Sequence, residues 1–328
     1  MKLTAYEVRK DEEENLRKYA QRCGVDELVI TGEPLTGETL ELAEGAAGVT
    51  TLGQSVINED ICRQLHQMGV TGYSTRSVGY NHVDLEAAKK YGIRVSNASY
   101  SPHGVAEYTV MMILMSLRKY KPALYRINVN DYSLDGLVGG ELCEMTVGII
   151  GTGKIGETVI RNLAGFGCRI YAYDIYEKEE VKKYAVYRDL DTIYKECDII
   201  SLHTPLMDST YHMIDRDAVK KMKKGVILVN CARGELMDIE AVTRGVEDEK
   251  IGAVALDVFE NENGIYHHDR RTEIIKNRDM AYLRQFPNVI MTQHMAFYTR
   301  QAVDSMVKCG VESLAAFARQ QDYFCRLA

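Results

Sequence analysis

Residues 146–176 read TVGIIGTGKIGETVIRNLAGFGCRIYAYDIY. An apolar run, Val147–Ile150, leads into Gly151-Thr152-Gly153-Lys154-Ile155-Gly156; helix-compatible sequence follows, and a second β-rich run ends in Asp174. In a strand–turn–helix unit that binds a dinucleotide, each glycine has its own task. Gly151 permits the tight turn, Gly153 lets backbone approach a pyrophosphate, and Gly156 lets the helix close on the strand. Unpaired N–H groups and partial positive charge at the helix start suit that pyrophosphate. Asp174 stands 23 residues beyond Gly151, close to the spacing of about 20 at which such folds set a carboxylate on the ribose hydroxyls. A carboxylate there repels a 2′-phosphate, so NAD is expected rather than NADP. Taken alone, Asp174 reads as a strand-end turn residue, and Lys154 as a solvated surface lysine within the fingerprint.

Outward from this unit, β-rich and helical runs alternate almost from end to end, the pattern of an α/β protein with parallel sheets. Upstream, strands are predicted near Leu3–Val8, Leu28–Ile30, Gly48–Thr51, Thr71–Thr75 and Arg94–Ser96, with helices over Asp11–Arg22 and Asn58–Met68. Downstream, strands are predicted at Arg169–Tyr173, Ile199–Leu202, Val226–Asn230, Ala253–Val258 and Val289–Thr292. The clearest boundary is Ser101-Pro102, where serine suits a helix cap and proline the first turn. The stretch that follows, HGVAEYTVMMILMSLRKY, is apolar nearly all round and predicts a buried helix at an inter-domain crossing. From about Thr299 to Phe317, apolar residues at 302, 303, 306, 307, 311 and 314 keep helical spacing. This segment is expected to return to the N-terminal domain.

With 328 residues, two domains are the prior expectation. Lys and Arg total 40 against 47 Asp and Glu, a net charge of −7, which argues against a broad nucleic-acid surface. It leaves room for a small anionic substrate, because one placed arginine outweighs a diffuse negative field. The opening MKLTAYEVRKDEEEN passes from a short apolar strand to a charged helix, without a signal-peptide core, and no apolar run has membrane length. Eight cysteines are scattered with no CxxC pair, so packed, reduced thiols in a cytoplasmic protein are expected, with no metal. His267-His268, in the charged loop NENGIYHHDRRTE, reads as a solvated pair with no third ligand.

Three further predicted strands end in polar residues: VNCARGELMD, ALDVFENEN and VIMTQHMAFYT. In open α/β sheets ligands sit beyond the carboxyl ends of strands, so Arg233, Asp257, Glu262 and His294 are candidates to converge. Reduction of a 2-keto acid needs a cation for the carboxylate, a proton for the developing alkoxide, and a hydride donor. Arginine's planar fork suits bidentate carboxylate binding. Histidine exchanges a proton near neutrality, and a carboxylate beside it favours imidazolium and fixes the ring. The expectation is therefore His294 as acid, Glu262 as its partner and Arg233 as substrate anchor. Singly, each has a plainer reading: a surface salt bridge, an acidic loop, a hydrogen-bonded core histidine. His203, in SLHTP after a strand, lines the cofactor site or plays a structural part.

Together with STRSVGYNHVD, NASYSPHGVAEYT, GFGCRIYAYDIY and SLHTPL, these segments in this order resemble the D-specific 2-hydroxyacid dehydrogenases, the D-lactate dehydrogenase branch above all, over nearly the whole chain. The resemblance implies two Rossmann-like or flavodoxin-like parallel-sheet domains with the active-site cleft between them. The substrate domain would comprise 1–101 plus 299–328 and the NAD-binding domain 102–298. It implies catalytic positions for Arg233, Glu262 and His294. It places His203, Thr204, Pro205, Cys231 and Ala232 beside the cofactor with Asp257 near the nicotinamide amide. Backbone of Val78 and Gly79 would hold substrate carboxylate, with Tyr100 and Phe297 at the pocket. It also implies an R product, pyruvate as substrate, and a homodimer joined in part through the helix after Pro102. Gln293 and Met295 depart from the proline and small polar residue that often flank the family's histidine, and Leu52-Gly53 is another place where selectivity can differ. Three rival readings are the same chemistry on bulkier acids, such as 2-ketoisocaproate or phenylpyruvate, a non-catalytic NAD-sensing scaffold, and a Rossmann protein binding another nucleotide such as a methyl-donor cofactor, against which the Arg–Glu–His series argues.

Overall fold

Five short strands open the chain: β1 (Lys2–Ala5), β2 (Glu27–Ile30), β3 (Gly48–Thr51), β4 (Gly72–Thr75) and β5 (Arg94–Ser96). In the computed structural model, which describes residues 1–328, they pair in parallel in the order β2-β1-β3-β4-β5. That is the flavodoxin-type doubly wound order. Every residue of β3 and β4 is buried, as central parallel strands covered on both faces must be. Between the strands run α1 (Glu13–Arg22), α2 (Glu59–Gln67) and α3 (Leu85–Lys90). Asn58 and Asp84 cap α2 and α3 by accepting the N–H groups of Ile61 and Ala87.

The C-terminal helix, Arg300–Ala318, packs on α1, β3 and β4. It does so closely: a Cβ added to Gly48 would lie 2.9 Å from Leu314 Cδ2, and one on Gly72 3.2 Å from it. Thr299 caps this helix through the N–H of Ala302. Met1–Ser101 and Tyr298–Ala328 thus form one compact unit, and Pro102–Phe297 a second.

The second unit begins with α4 (His103–Leu117) and α5 (Tyr120–Asn128). Pro102, at φ −69° and ψ −12°, is already helical where the chain enters α4, as a proline in a first turn is. Helix α4 buries Val105, Ala106, Met112 and Ile113 against α6 (Lys154–Ala164) and the sheet. That sheet has seven parallel strands: β6 (Thr146–Ile150), β7 (Arg169–Tyr173), β8 (Val186–Tyr187), β9 (Ile199–Leu202), β10 (Val226–Asn230), β11 (Ile251–Leu256) and β12 (Val289–Met291). Their spatial order, β12-β11-β10-β9-β6-β7-β8, is the Rossmann order extended by one strand, with its reversal between β6 and β9.

Most predicted strands fall where hydrophobic runs put them. β2, β4 and β12 shift by one residue at one end, and three differences are larger. β1 stops at Ala5 because Glu7 turns the chain at φ +55°, β11 starts two residues early at Ile251 and ends at Leu256, and the two-residue β8 was not anticipated.

Candidate active site

The glycine turn sits at the C-terminal end of β6, beside the strand reversal. Gly151 adopts φ +97°, and a Cβ there would lie 2.6 Å from the carbonyl of His203. A Cβ on Gly156 would lie 2.0 Å from the Gly151 carbonyl oxygen. Neither position admits a side chain. Gly153, by contrast, is exposed, and a Cβ on it meets nothing within 4 Å. It precedes α6, whose N-terminus has no side-chain cap. A closed turn, an open approach and free helix N–H groups together fit a dinucleotide pyrophosphate.

At the end of β7, Asp174 Oδ2 accepts the N–H of Thr152 at 2.6 Å and its hydroxyl at 3.0 Å, while Oδ1 accepts the N–H of Tyr176 at 3.1 Å. Partial burial works against the charged form, but these donors outweigh it and hold the carboxyl below the usual aspartate range. Lys154 is exposed, and Ile155 half-buried. Across the reversal, His203 follows β9, with Nε2 2.9 Å from the Ser201 hydroxyl. Loss of hydration pushes its imidazole down to about 4, so at neutral pH it offers a hydrogen bond and no charge. Pro205 accepts the Thr210 hydroxyl through its carbonyl. Cys231 and Ala232 follow β10, and burial pushes the Cys231 thiol up to about 12.

Three adjacent strand ends carry the proposed chemistry: β10 leads to Arg233, β11 to Asp257 and Glu262, and β12 to His294. His294 Nδ1 is bonded to Glu262 Oε1, which leaves Nε2 as the nitrogen available to a ligand. Glu262 is itself held by the Phe259 N–H on its other oxygen, 2.7 Å away. His294 takes a left-handed backbone, φ +52°, a conformation that costs a non-glycine residue about 1–2 kcal/mol. The fully buried Asp257 sustains it: its carbonyl accepts the His294 N–H at 2.7 Å, and its carboxylate accepts the N–H groups of Met295 and Ala296 at 2.9 and 2.8 Å. The Thr292 hydroxyl, at 2.6 Å, completes the set. Arg233 is half-buried; its guanidinium donates to the Ala232 carbonyl at 2.6 Å and pairs with no carboxylate of the chain. Asn230 braces this turn by donating to the Arg233 carbonyl and accepting the Ala232 N–H.

His267 was expected to be solvated. It is exposed, yet its Nε2 donates to the His294 carbonyl at 3.1 Å, and its ring lies 6.1 Å from that of His294 and 6.3 Å from that of Phe297. His294 and Phe297 are in turn 6.2 Å apart, edge to face. No cluster of three or more His, Cys, Asp or Glu side chains is arranged to hold a metal. All eight cysteines are free.

In the first unit, Val78 and Gly79 follow β4, and Tyr100 follows β5. Their carbonyls are occupied, Val78 O by the Asn97 amide at 2.7 Å and Gly79 O by the Ser77 hydroxyl at 2.6 Å. The N–H groups of Val78 and Gly79 have no acceptor within the chain, a pair of donors suited to an anion. Two residues absent from the sequence reading hold the neighbouring loops. Glu7 accepts the N–H groups of Leu52, Gly53 and Gln54 at 2.7, 2.8 and 3.0 Å. Arg76, wholly buried, donates to Glu12 at 2.9 Å and to the Tyr6 carbonyl at 2.9 Å. Neither had a local signal, since both sit among other charged or loop residues.

Fold, glycine cradle and imidazole–carboxylate pair fit a nicotinamide-dependent oxidoreductase of the doubly wound class. Residues 110–296 match the NAD-binding domain of the D-isomer specific 2-hydroxyacid dehydrogenases. Among curated relatives, an aromatic 2-oxoacid reductase of Clostridium sporogenes is 41% identical over 97% of this chain and 96% of its own. A D-lactate dehydrogenase of Lactobacillus delbrueckii subsp. bulgaricus is 37% identical over 93% and 92%. Among solved structures, the NAD-complexed D-isomer specific 2-hydroxyacid dehydrogenase of that bacterium superposes with TM-score 0.85 at 33% identity, covering 100% of both chains. The chain belongs to the NAD-dependent D-2-hydroxyacid dehydrogenase family.

Proposed function

We propose that the protein reduces a 2-keto acid carrying a bulky apolar side chain, of the phenylpyruvate type, to the (R)-2-hydroxy acid, and catalyses the reverse. The observation that carries the chemistry is the His294–Glu262 pair beside an arginine with no carboxylate partner, on the ends of three neighbouring strands. Arg233 grips the substrate carboxylate through its two-pronged fork. His294 Nε2 delivers its proton to the carbonyl oxygen as that oxygen gains negative charge. Glu262 keeps Nδ1 protonated and stabilises the ring when it is charged. Bound NADH supplies the hydride to C2. Oxidation runs the same proton back to Nε2.

Relatives named for aromatic 2-oxoacids, at 41% identity, support the bulky substrate. Pyruvate is the second reading, supported by relatives and structures named D-lactate dehydrogenase. A single methylene in such a pocket is worth only about 1–3 kcal/mol, so kinetics must decide. The test follows NADH absorbance with phenylpyruvate, 2-ketoisocaproate and pyruvate, and resolves the product's enantiomers. The highest kcat/KM with phenylpyruvate and an R product are expected. A pyruvate preference transfers the assignment to the second reading; no consumption with any acid leaves the NAD-sensing scaffold.

We also infer a homodimer in a reducing, cytoplasmic setting. Tyr125, Ile127, Tyr132, Leu134 and Val138, on α5 and the loop after it, are each more than half exposed, an apolar stretch suited to a second copy. Free thiols throughout fit the compartment, and no helix is long and apolar enough to cross a membrane. Light scattering at micromolar concentration checks the assembly.

A further inference from the structure

Tyr187 lies on the edge strand β8, paired beside Ala172 of β7. Its hydroxyl is 2.9 Å from Thr152 Oγ1 and 3.1 Å from the backbone nitrogen of Lys178. The donors in this cluster can be assigned without seeing a hydrogen. Asp174, ionised, only accepts, so the single Thr152 hydroxyl proton goes to Asp174 Oδ2 at 3.0 Å. The Lys178 N–H only donates, so the Tyr187 oxygen accepts it. One proton remains, that of Tyr187, and the Thr152 oxygen accepts it. The order is therefore Lys178 N–H to Tyr187, Tyr187 O–H to Thr152, Thr152 O–H to Asp174. Each bond polarises the next.

We propose that Tyr187 is a positioning residue for coenzyme choice: its hydroxyl locks Thr152, and through it the Asp174 carboxylate, in the orientation that takes ribose hydroxyls and turns away a 2′-phosphate. The proposal rests on the reading that Asp174 faces the adenosine ribose of NAD. Thr152 is completely buried, so its hydroxyl has no water to turn to while Tyr187 is in place. Without the phenol oxygen, the Thr152 hydroxyl is held by Asp174 alone and the Lys178 N–H loses its acceptor. Both ends of the loop from Asp174 to Lys178 then slacken, in the segment a 2′-phosphate would have to displace.

The test is fluorescence titration of NADH and NADPH onto the full-length protein as wild type, Tyr187→Phe, Thr152→Val, the double variant and Asp174→Ala. Tyr187→Phe keeps the ring, and its melting temperature reports any general loss of fold. It should raise the NADH Kd about three- to tenfold, the worth of one net hydrogen bond, and narrow the NADH-to-NADPH affinity ratio. The loss should fall on Kd and KM rather than kcat. In the Thr152→Val background the same change should have little further effect, because the link it acts through is already cut. An unchanged affinity ratio in Tyr187→Phe, or an undiminished effect in the Thr152→Val background, would overturn the proposal. Asp174→Ala separates the two layers. If it keeps the full preference for NADH, the ribose reading itself is wrong; if it loses that preference while Tyr187→Phe does not, only the role of Tyr187 is.

Discussion

The imidazole Nε2 of His267 lies 3.1 Å from the carbonyl oxygen of His294, so one histidine fixes the peptide that carries the other. With Asp257 holding the His294 N–H at 2.7 Å, the left-handed residue is gripped from both sides. His267→Phe keeps the ring against Phe297 and removes the donor. It should lower kcat by about tenfold, since a small displacement of a reacting group is costly, and leave NADH affinity unaltered. Steady-state kinetics beside a coenzyme titration read both; equal kcat in variant and wild type would dismiss the brace.

Glu262→Gln retains the size of the side chain and removes its charge from His294. An amide presents NH2 or oxygen to Nδ1 with equal ease and gives no stabilisation to a charged ring. Turnover should drop by about 10²-fold or more, within the range for a disabled proton donor, while KM for NADH holds. A loss under threefold in both directions of the reaction would remove Glu262 from the mechanism.

The Arg76–Glu12 pair has both side chains fully shielded from solvent. Arg76→Met alone leaves a buried carboxylate unmatched and should destabilise the first unit by about 3–5 kcal/mol. Adding Glu12→Leu should restore much of that loss, because two apolar groups of similar size need no partner. Urea unfolding of the wild type and the two variants gives the comparison. A single variant as stable as wild type would mean the pair is hydrated in solution.

His203 supplies the pH dependence. Unfolded, it takes a proton near 6.5; folded, it does so only at about 4. Below pH 6.5 the unfolded chain therefore binds more protons, so stability present above that pH is lost as pH falls toward 4. His203→Gln should flatten this part of the curve. Melting temperatures of both proteins at pH 7 and pH 5 suffice, and identical differences would assign the acid sensitivity elsewhere.

Local pattern carried much of the fold. Apolar runs such as Val226–Asn230 and Arg169–Tyr173, and the helical spacing after Thr299, mark elements because their side-chain periods are written in neighbouring residues. The glycines at 151, 153 and 156 were legible for the same reason. Glu7, Arg76, Tyr187 and His267 were not. Their partners lie far along the chain: 45 residues separate Glu7 from Leu52, 64 separate Arg76 from Glu12, and 35 separate Tyr187 from Thr152. A charged or phenolic side chain has the same appearance in sequence whether it faces water or a buried loop. β8 escaped notice because two residues show no period.

The two glycines that admit Leu314 against β3 and β4 have a consequence for synthesis. The face they open is completed by residues 300–318, which are made only after the whole Pro102–Phe297 unit. As the ribosome works, the contiguous stretch from Pro102 to Phe297 can condense while the earlier sheet still waits with that face wet. Nascent chains stalled short of residue 300 should bind chaperones through the N-terminal segment, and release them once the closing helix emerges.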